Sequence, residues 1–131
     1  MAKPTHEDAT IMLQLAQWGA AMSLTEAVNW MWSDEFVTEA AGFWAKYPRG
    51  SEGARKLLTI GNYYETLGTL WKQGLLNEGL IFDWQAVSLV WARVKNCFLH
   101  IREESGNRRI YENFEALANA ESAYDAGQAR D

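Results

Sequence analysis

The sequence predicts an all-α protein: a compact bundle of five to six helices, with three long C-terminal helices at about 51–73, 83–104 and 108–125. Three observations carry the prediction. Apolar residues recur at spacings of three and four through most of the chain, as one face of a helix requires. The alternation of a half-buried strand is absent. The only prolines are Pro4 and Pro48, so helices can run unbroken from about residue 50 onward.

Taken in order, Thr5 with Asp8 three residues later reads as a helix start. Ile11, Leu15, Trp18 and Met22 follow at helical spacing, and Gly19-Ala20-Ala21 bends or ends that helix. Thr25 opens a short second helix carrying Leu24, Val28 and Met31. Ser33-Asp34 is a further cap signal, ahead of Phe36, Ala40, Phe43 and Tyr47. Pro48-Arg49-Gly50 makes a loop. Ser51 then caps the stripe Leu57, Ile60, Tyr64, Leu67 and Trp71, and Gly74 ends it. Gly61 and Gly68, a heptad apart, mark a groove on the shoulder of this stripe. The tryptophans of the next long helix are its expected occupants. Asn77 starts a short turn. Asp83 caps the strongest stripe of the chain: Trp84, Val87, Trp91, Val94, Phe98 and Ile101. Ser105-Gly106-Asn107 stops it, with Gly106 as the left-handed cap and Asn107 as the next start. Ile110, Phe114, Leu117 and Tyr124 form the last stripe.

The 131 residues form one domain without linker or repeat, with frayed ends expected at 1–5 and 127–131. Hydrophobic residues make up 48%, including seven tryptophans, which is enough for a core without disulfide or metal support. Cys97 is the single cysteine, so no disulfide can close within the chain. No signal-peptide pattern and no bilayer-length apolar run is present, which predicts a cytoplasmic protein. The net charge of −5 resides in the first 45 residues, where Lys3 stands against Glu7, Asp8, Glu26, Asp34, Glu35 and Glu39. An acidic chain is a poor partner for nucleic acid, whose binding rests on phosphate neutralisation.

No histidine–cysteine cluster with metal spacing, no phosphate loop and no nucleophile–base pair stands out, so neither metal, cofactor nor catalysis is expected. Polar residues on half-buried flanks stand out instead. Glu65 lies between Gly61 and Gly68 and beside Tyr64. Arg102 lies one turn past Phe98, at the edge of the strongest stripe. A half-buried carboxylate needs a donor, so Arg102 is expected to bridge Glu65 or Glu115 across helices. Asn62, Tyr64, Glu65, Trp91, Arg102 and Glu115 form the candidate structural or ligand cluster. Trp30 and Trp32 cannot share one helix face, so one of them reaches a rim. Leu89 and Leu99 lie away from the main stripe and leave apolar surface to spare.

In order along residues 57–118 come Asn62-Tyr63-Tyr64-Glu65-x-x-Gly68, Gly74-Leu75-Leu76, Trp91, Arg102, Gly106-Asn107, Tyr111 and Phe114-Glu115-x-Leu117. In this order of motifs the segment resembles an uncharacterised bacterial domain-of-unknown-function family. The resemblance implies a small helical domain of unknown biochemical role. Some relatives look membrane-tethered through an extra N-terminal helix, which this sequence does not show. The family's recurring polar positions fall here on Asn62, Glu65, Arg102 and Glu115.

Apolar surplus without a catalytic constellation predicts a non-enzymatic helical interaction or assembly module, with a protein partner or a second copy of itself. The alternative is a small-molecule-binding bundle with an aromatic pocket near Tyr64, Trp91 and Arg102.

Overall fold

The helix starts that carry their own cap form where the sequence places them. In the computed structural model, which describes residues 2–128, the Thr5 hydroxyl accepts from the Asp8 amide at 3.1 Å, and the Asp8 carboxylate accepts from the Thr5 amide at 2.7 Å. This reciprocal box opens α1 (His6–Ala21). Ser51 caps α4 (Glu52–Lys72) through the Ala54 amide, and Asn77 caps α5 (Glu78–Trp84) through the Leu80 amide. Between them Gly74, at φ +73°, ends α4. Its amide bonds to the Trp71 carbonyl and the Leu75 amide to the Leu70 carbonyl, the paired closure that a left-handed glycine permits.

Seven helices form among the described residues, against the five to six expected. The other four are α2 (Leu24–Met31), α3 (Ala40–Lys46), α6 (Val87–Ser105) and α7 (Glu112–Gln128). Each departure has a local cause. α2 is capped by Ser23 in the left-handed region rather than by Thr25. Ser33 closes α2 instead of opening α3: its hydroxyl donates back to the Trp30 carbonyl at 2.6 Å. α3 therefore waits until Ala40. Asp83 caps nothing, because it and Trp84 belong to α5, and extended backbone at Gln85 separates the two helices. Asn107 turns the chain by accepting from the Arg109 amide at 2.9 Å, and Tyr111 sits at φ +57°. A helix cannot pass through that conformation, so α7 begins at Glu112 rather than 108.

α7 is the hub. It packs against both α4 and α6, while α2 packs on α4, α1 on α2 and α3 on α6. The expected stripes meet in one core: Leu57, Ile60, Leu67, Val94, Phe98, Phe114 and Leu117 are completely buried. Trp30 is half-buried against the core, edge-on to Phe36 and Tyr47, and Trp32 is the one at the rim, 50% exposed. The start of the chain, expected to fray, is tied to α5: Asn77 donates its amide to Asp8 and its side-chain NH2 to the Ala2 carbonyl. α7 continues through Gln128, past the expected fraying point; residues 1 and 129–131 lie outside the described residues. No helix of the described residues is long and apolar enough to cross a membrane.

Candidate functional site

The groove marked by Gly61 and Gly68 is real, but tryptophans do not fill it. A Cβ at Gly68 would lie 2.3 Å from the Asn113 carbonyl oxygen, and one at Gly61 would lie 2.6 Å from Phe98 and 2.8 Å from Tyr111. The first turn of α7 therefore rests on bare α4 backbone. Two residues set that turn in place from opposite sides.

Glu65 supplies the first. Its Oε1 accepts from the Asn113 amide at 3.0 Å and the Phe114 amide at 2.9 Å. A helix leaves its first amides without intrahelical partners and carries positive charge there, so a carboxylate from another helix satisfies both needs. Thr69, one turn further along α4, accepts from the Asn113 side chain at 3.1 Å. Arg102 supplies the second. Its Nε donates to the Ile110 carbonyl and its Nη1 to Glu115 Oε1, both at 2.7 Å. The structure thus pairs Arg102 with Glu115 and turns Glu65 to backbone. Arg102 Nη2 is buried without a hydrogen-bond partner, and the guanidinium carbon stands 5.7 Å over the Trp91 ring. The negative face of an indole gives such a cation an electrostatic contact.

Between these two anchors the chain is held in a strained shape. Tyr111 is a bulky residue in the left-handed region, which costs on the order of 1–3 kcal/mol. Its ring lies against Phe98, centroids 4.3 Å apart, and its hydroxyl donates to Asn62 Oδ1 at 2.9 Å. Burial raises its pKa. These contacts, with the Gly61 gap that admits the ring, over-determine the conformation.

The remaining two candidates close the interior. Tyr64 stacks on Phe114 at 5.1 Å, and Trp91 meets Phe114 edge-on at 4.9 Å. All three are buried, so Phe114 fills the space where an aromatic pocket was expected. The Tyr64 hydroxyl donates to Gln85 Oε1 at 3.1 Å, and burial, then nearby Tyr63 and Glu121, hold it protonated well beyond its ordinary range. The six candidate residues therefore belong to one region but not to one cavity. They fasten the start of α7 and the floor beneath it.

Sequence reasoning missed Glu121. It is 3% exposed, and its Oε1 accepts from the Ser88 amide at 2.7 Å and the Ser88 hydroxyl at 2.8 Å. α6 has no side-chain cap of its own, and Glu121 is the cap it receives from α7. The signal was present: Phe114, Leu117, Glu121 and Tyr124 are spaced 3, 4 and 3, so this glutamate occupies a core position on its stripe.

Other reactive groups are committed to packing. Burial pushes the Cys97 thiol up to about 12, and His100 stacks on Trp44 while facing Glu104. No group of three His, Cys, Asp or Glu among the described residues is placed to hold a metal ion. An open groove of about 530 Å³ runs beside the α7 start, and its cations Arg49 and Arg109 pair with Glu104 and Glu112.

No curated protein and no solved structure matches the chain. The model of the family described as Domain of unknown function (DUF4760) matches residues 4–120, a span that contains Glu65, Arg102 and the first turn of α7, and the chain belongs to that family.

Proposed function

We propose that this chain is a non-enzymatic, cytoplasmic assembly module that pairs with a second copy of itself through the outer face of α6. The observation that carries the reading is the symmetry of that face. Leu89 and Leu99 are 61% and 38% exposed, and Ala92 and Asn96 between them are exposed as well. At 3.6 residues per turn these four lie within about 80° of one another, opposite the fully buried Val94. They are also symmetric about Val94 along the axis. In an antiparallel pair Leu89 of one copy meets Leu99 of the other, and Ala92 meets Asn96, as a two-fold interface demands. Trp32 flanks the face through Arg93, whose guanidinium lies 5.8 Å over its ring.

A cytoplasmic setting is in keeping with a single thiol that is fully buried. One face of a single helix from each copy is a small contact beside the roughly 1,200 Å² of standard specific interfaces, so a weak, concentration-dependent dimer is expected. Sedimentation equilibrium over a hundredfold concentration range tests it. A monomer–dimer equilibrium that Leu99→Glu shifts to monomer is expected. A wild-type chain that stays monomeric throughout, or a dimer indifferent to Leu99→Glu, overturns it.

A further inference from the structure

The outer face of α6 is bordered by a groove at each end, and the two grooves carry opposite unused charge. One, of about 390 Å³, lies at the α5–α6 junction beside Leu89; the other, of about 490 Å³, lies at the far end of α6 beside Leu99. Asp83 and Asp125, both exposed, line the first, and neither lysine, arginine nor histidine does. The carboxylate of Glu121, also at its edge, is turned to Ser88. Arg102, Glu103 and Arg108 line the second. Arg102 is taken up by Glu115, whereas Arg108 is exposed. Among the described residues Asp83, Asp125 and Arg108 have no ion-pair partner.

A two-fold pair that sets Leu89 of one copy on Leu99 of the other also sets the acidic groove of each copy on the basic groove of the other, so the match is made twice. Asp83 stands as far before Val94 as Ser105 stands after it, which brings it to the end of α6 where Arg108 lies. Glu103 does not oppose this. It falls opposite Gln85, whose Oε1 takes the Tyr64 hydroxyl and whose NH2 is left to donate. A parallel pair would instead set Asp83 and Asp125 against the same acids of the second copy, and like charges held face to face repel. Resting on the pairing of α6 faces, we propose that these charges fix its direction: Arg108 of each copy pairs with Asp83 of the other, with Asp125 beside it. The leucines supply the attraction, and the charges admit only the antiparallel arrangement.

Sedimentation equilibrium of the full chain tests the proposal with Asp83→Arg, Arg108→Asp and the two combined, thermal melting confirming that each variant folds. An exposed ion pair is weak, but symmetry makes it twice and reversal turns attraction into repulsion. Each single substitution should therefore weaken the dimer by about tenfold. Combining them restores opposite charges at both contacts and should return the affinity towards that of the wild type. An equimolar mixture of the two single variants should likewise form a one-to-one heterodimer. Asp83→Arg is the discriminating variant, because it lowers the net negative charge of the chain; general repulsion between acidic copies would make its dimer tighter, not weaker. A dimer that Leu99→Glu dissolves but neither reversal weakens, or a combined variant no tighter than the single ones, overturns the charge pairing and leaves the apolar pairing standing. A wild-type chain that is monomeric throughout overturns both.

Discussion

Helices α1, α4 and α5 begin on a cap drawn from their own first residues, whereas α6 and α7 begin on a carboxylate from elsewhere in the chain. The contrast is one of range. Thr5, Ser51 and Asn77 each satisfy an amide three positions on. Glu121 reaches an amide 33 residues away, and Glu65 reaches two that are 48 and 49 residues away. A local cap stabilises a helix whether or not the rest has folded. A distant one exists only in the finished fold, and there it locks two helices together as well as ending one of them.

The largest test of this difference is Gly68→Ala. The new methyl meets the Asn113 backbone rather than a side chain that can swing away. Even after the roughly 1 kcal/mol by which alanine favours a helix, we expect a net loss of about 3 kcal/mol. For a domain of this size that is about a 12 °C drop in Tm. A variant that melts like the wild type would show that α7 does not depend on its seat on α4. Next comes Glu65→Ala, which leaves two first-turn amides without an acceptor. A loss of about 2 kcal/mol is expected, against about 1 kcal/mol for Ser51→Ala. Denaturant titration of both variants measures the ratio, and equal losses would erase the distinction between near and distant caps.

The smallest effect sharpens the contrast at Asp8, which serves both kinds of cap. One oxygen closes the α1 box and the other takes the Asn77 amide at the start of α5. The Thr5 amide in particular, with the Thr5 hydroxyl and the Asn77 amide, holds its carboxyl below the ordinary 3.8. A depressed folded-state pKa contributes stability above the unfolded value and loses it as pH falls through the folded one. Wild type should therefore exceed Asp8→Asn in Tm at neutral pH. The gap should close as the solution is acidified below about pH 4. Parallel melting curves down the whole acid range would remove Asp8 from this role.

The same division explains what the sequence disclosed. Helix periods, the Thr5, Ser51 and Asn77 starts and the Gly74 stop were legible because each is a pattern of neighbours. The long stripes located the core, and the glycine pair located a close approach. Asn62, Glu65, Arg102 and Glu115 stood out as polar residues on apolar flanks. Of their partners only the Arg102–Glu115 pair, one of the two alternatives, was in view; Glu65 binds backbone amides and Arg102 also a backbone carbonyl, and backbone looks alike at every position. The starts of α6 and α7 were misplaced for that reason. Asp83 and Asn107 offered plausible local caps, and nothing nearby announced the remote carboxylates that replace them.

Glu121 has a consequence for how the protein is made. Ser88 leaves the ribosome 33 residues ahead of the side chain that will cap it, a delay of roughly 2 to 7 s at ordinary rates of synthesis. Through that interval α6 has an open first turn, and α4 holds a carboxylate, Glu65, with no helix to receive it. Only when α7 emerges can both be satisfied, and α7 is the last of the described helices to be synthesised. The newborn chain is therefore committed late, with its three longest helices settling together.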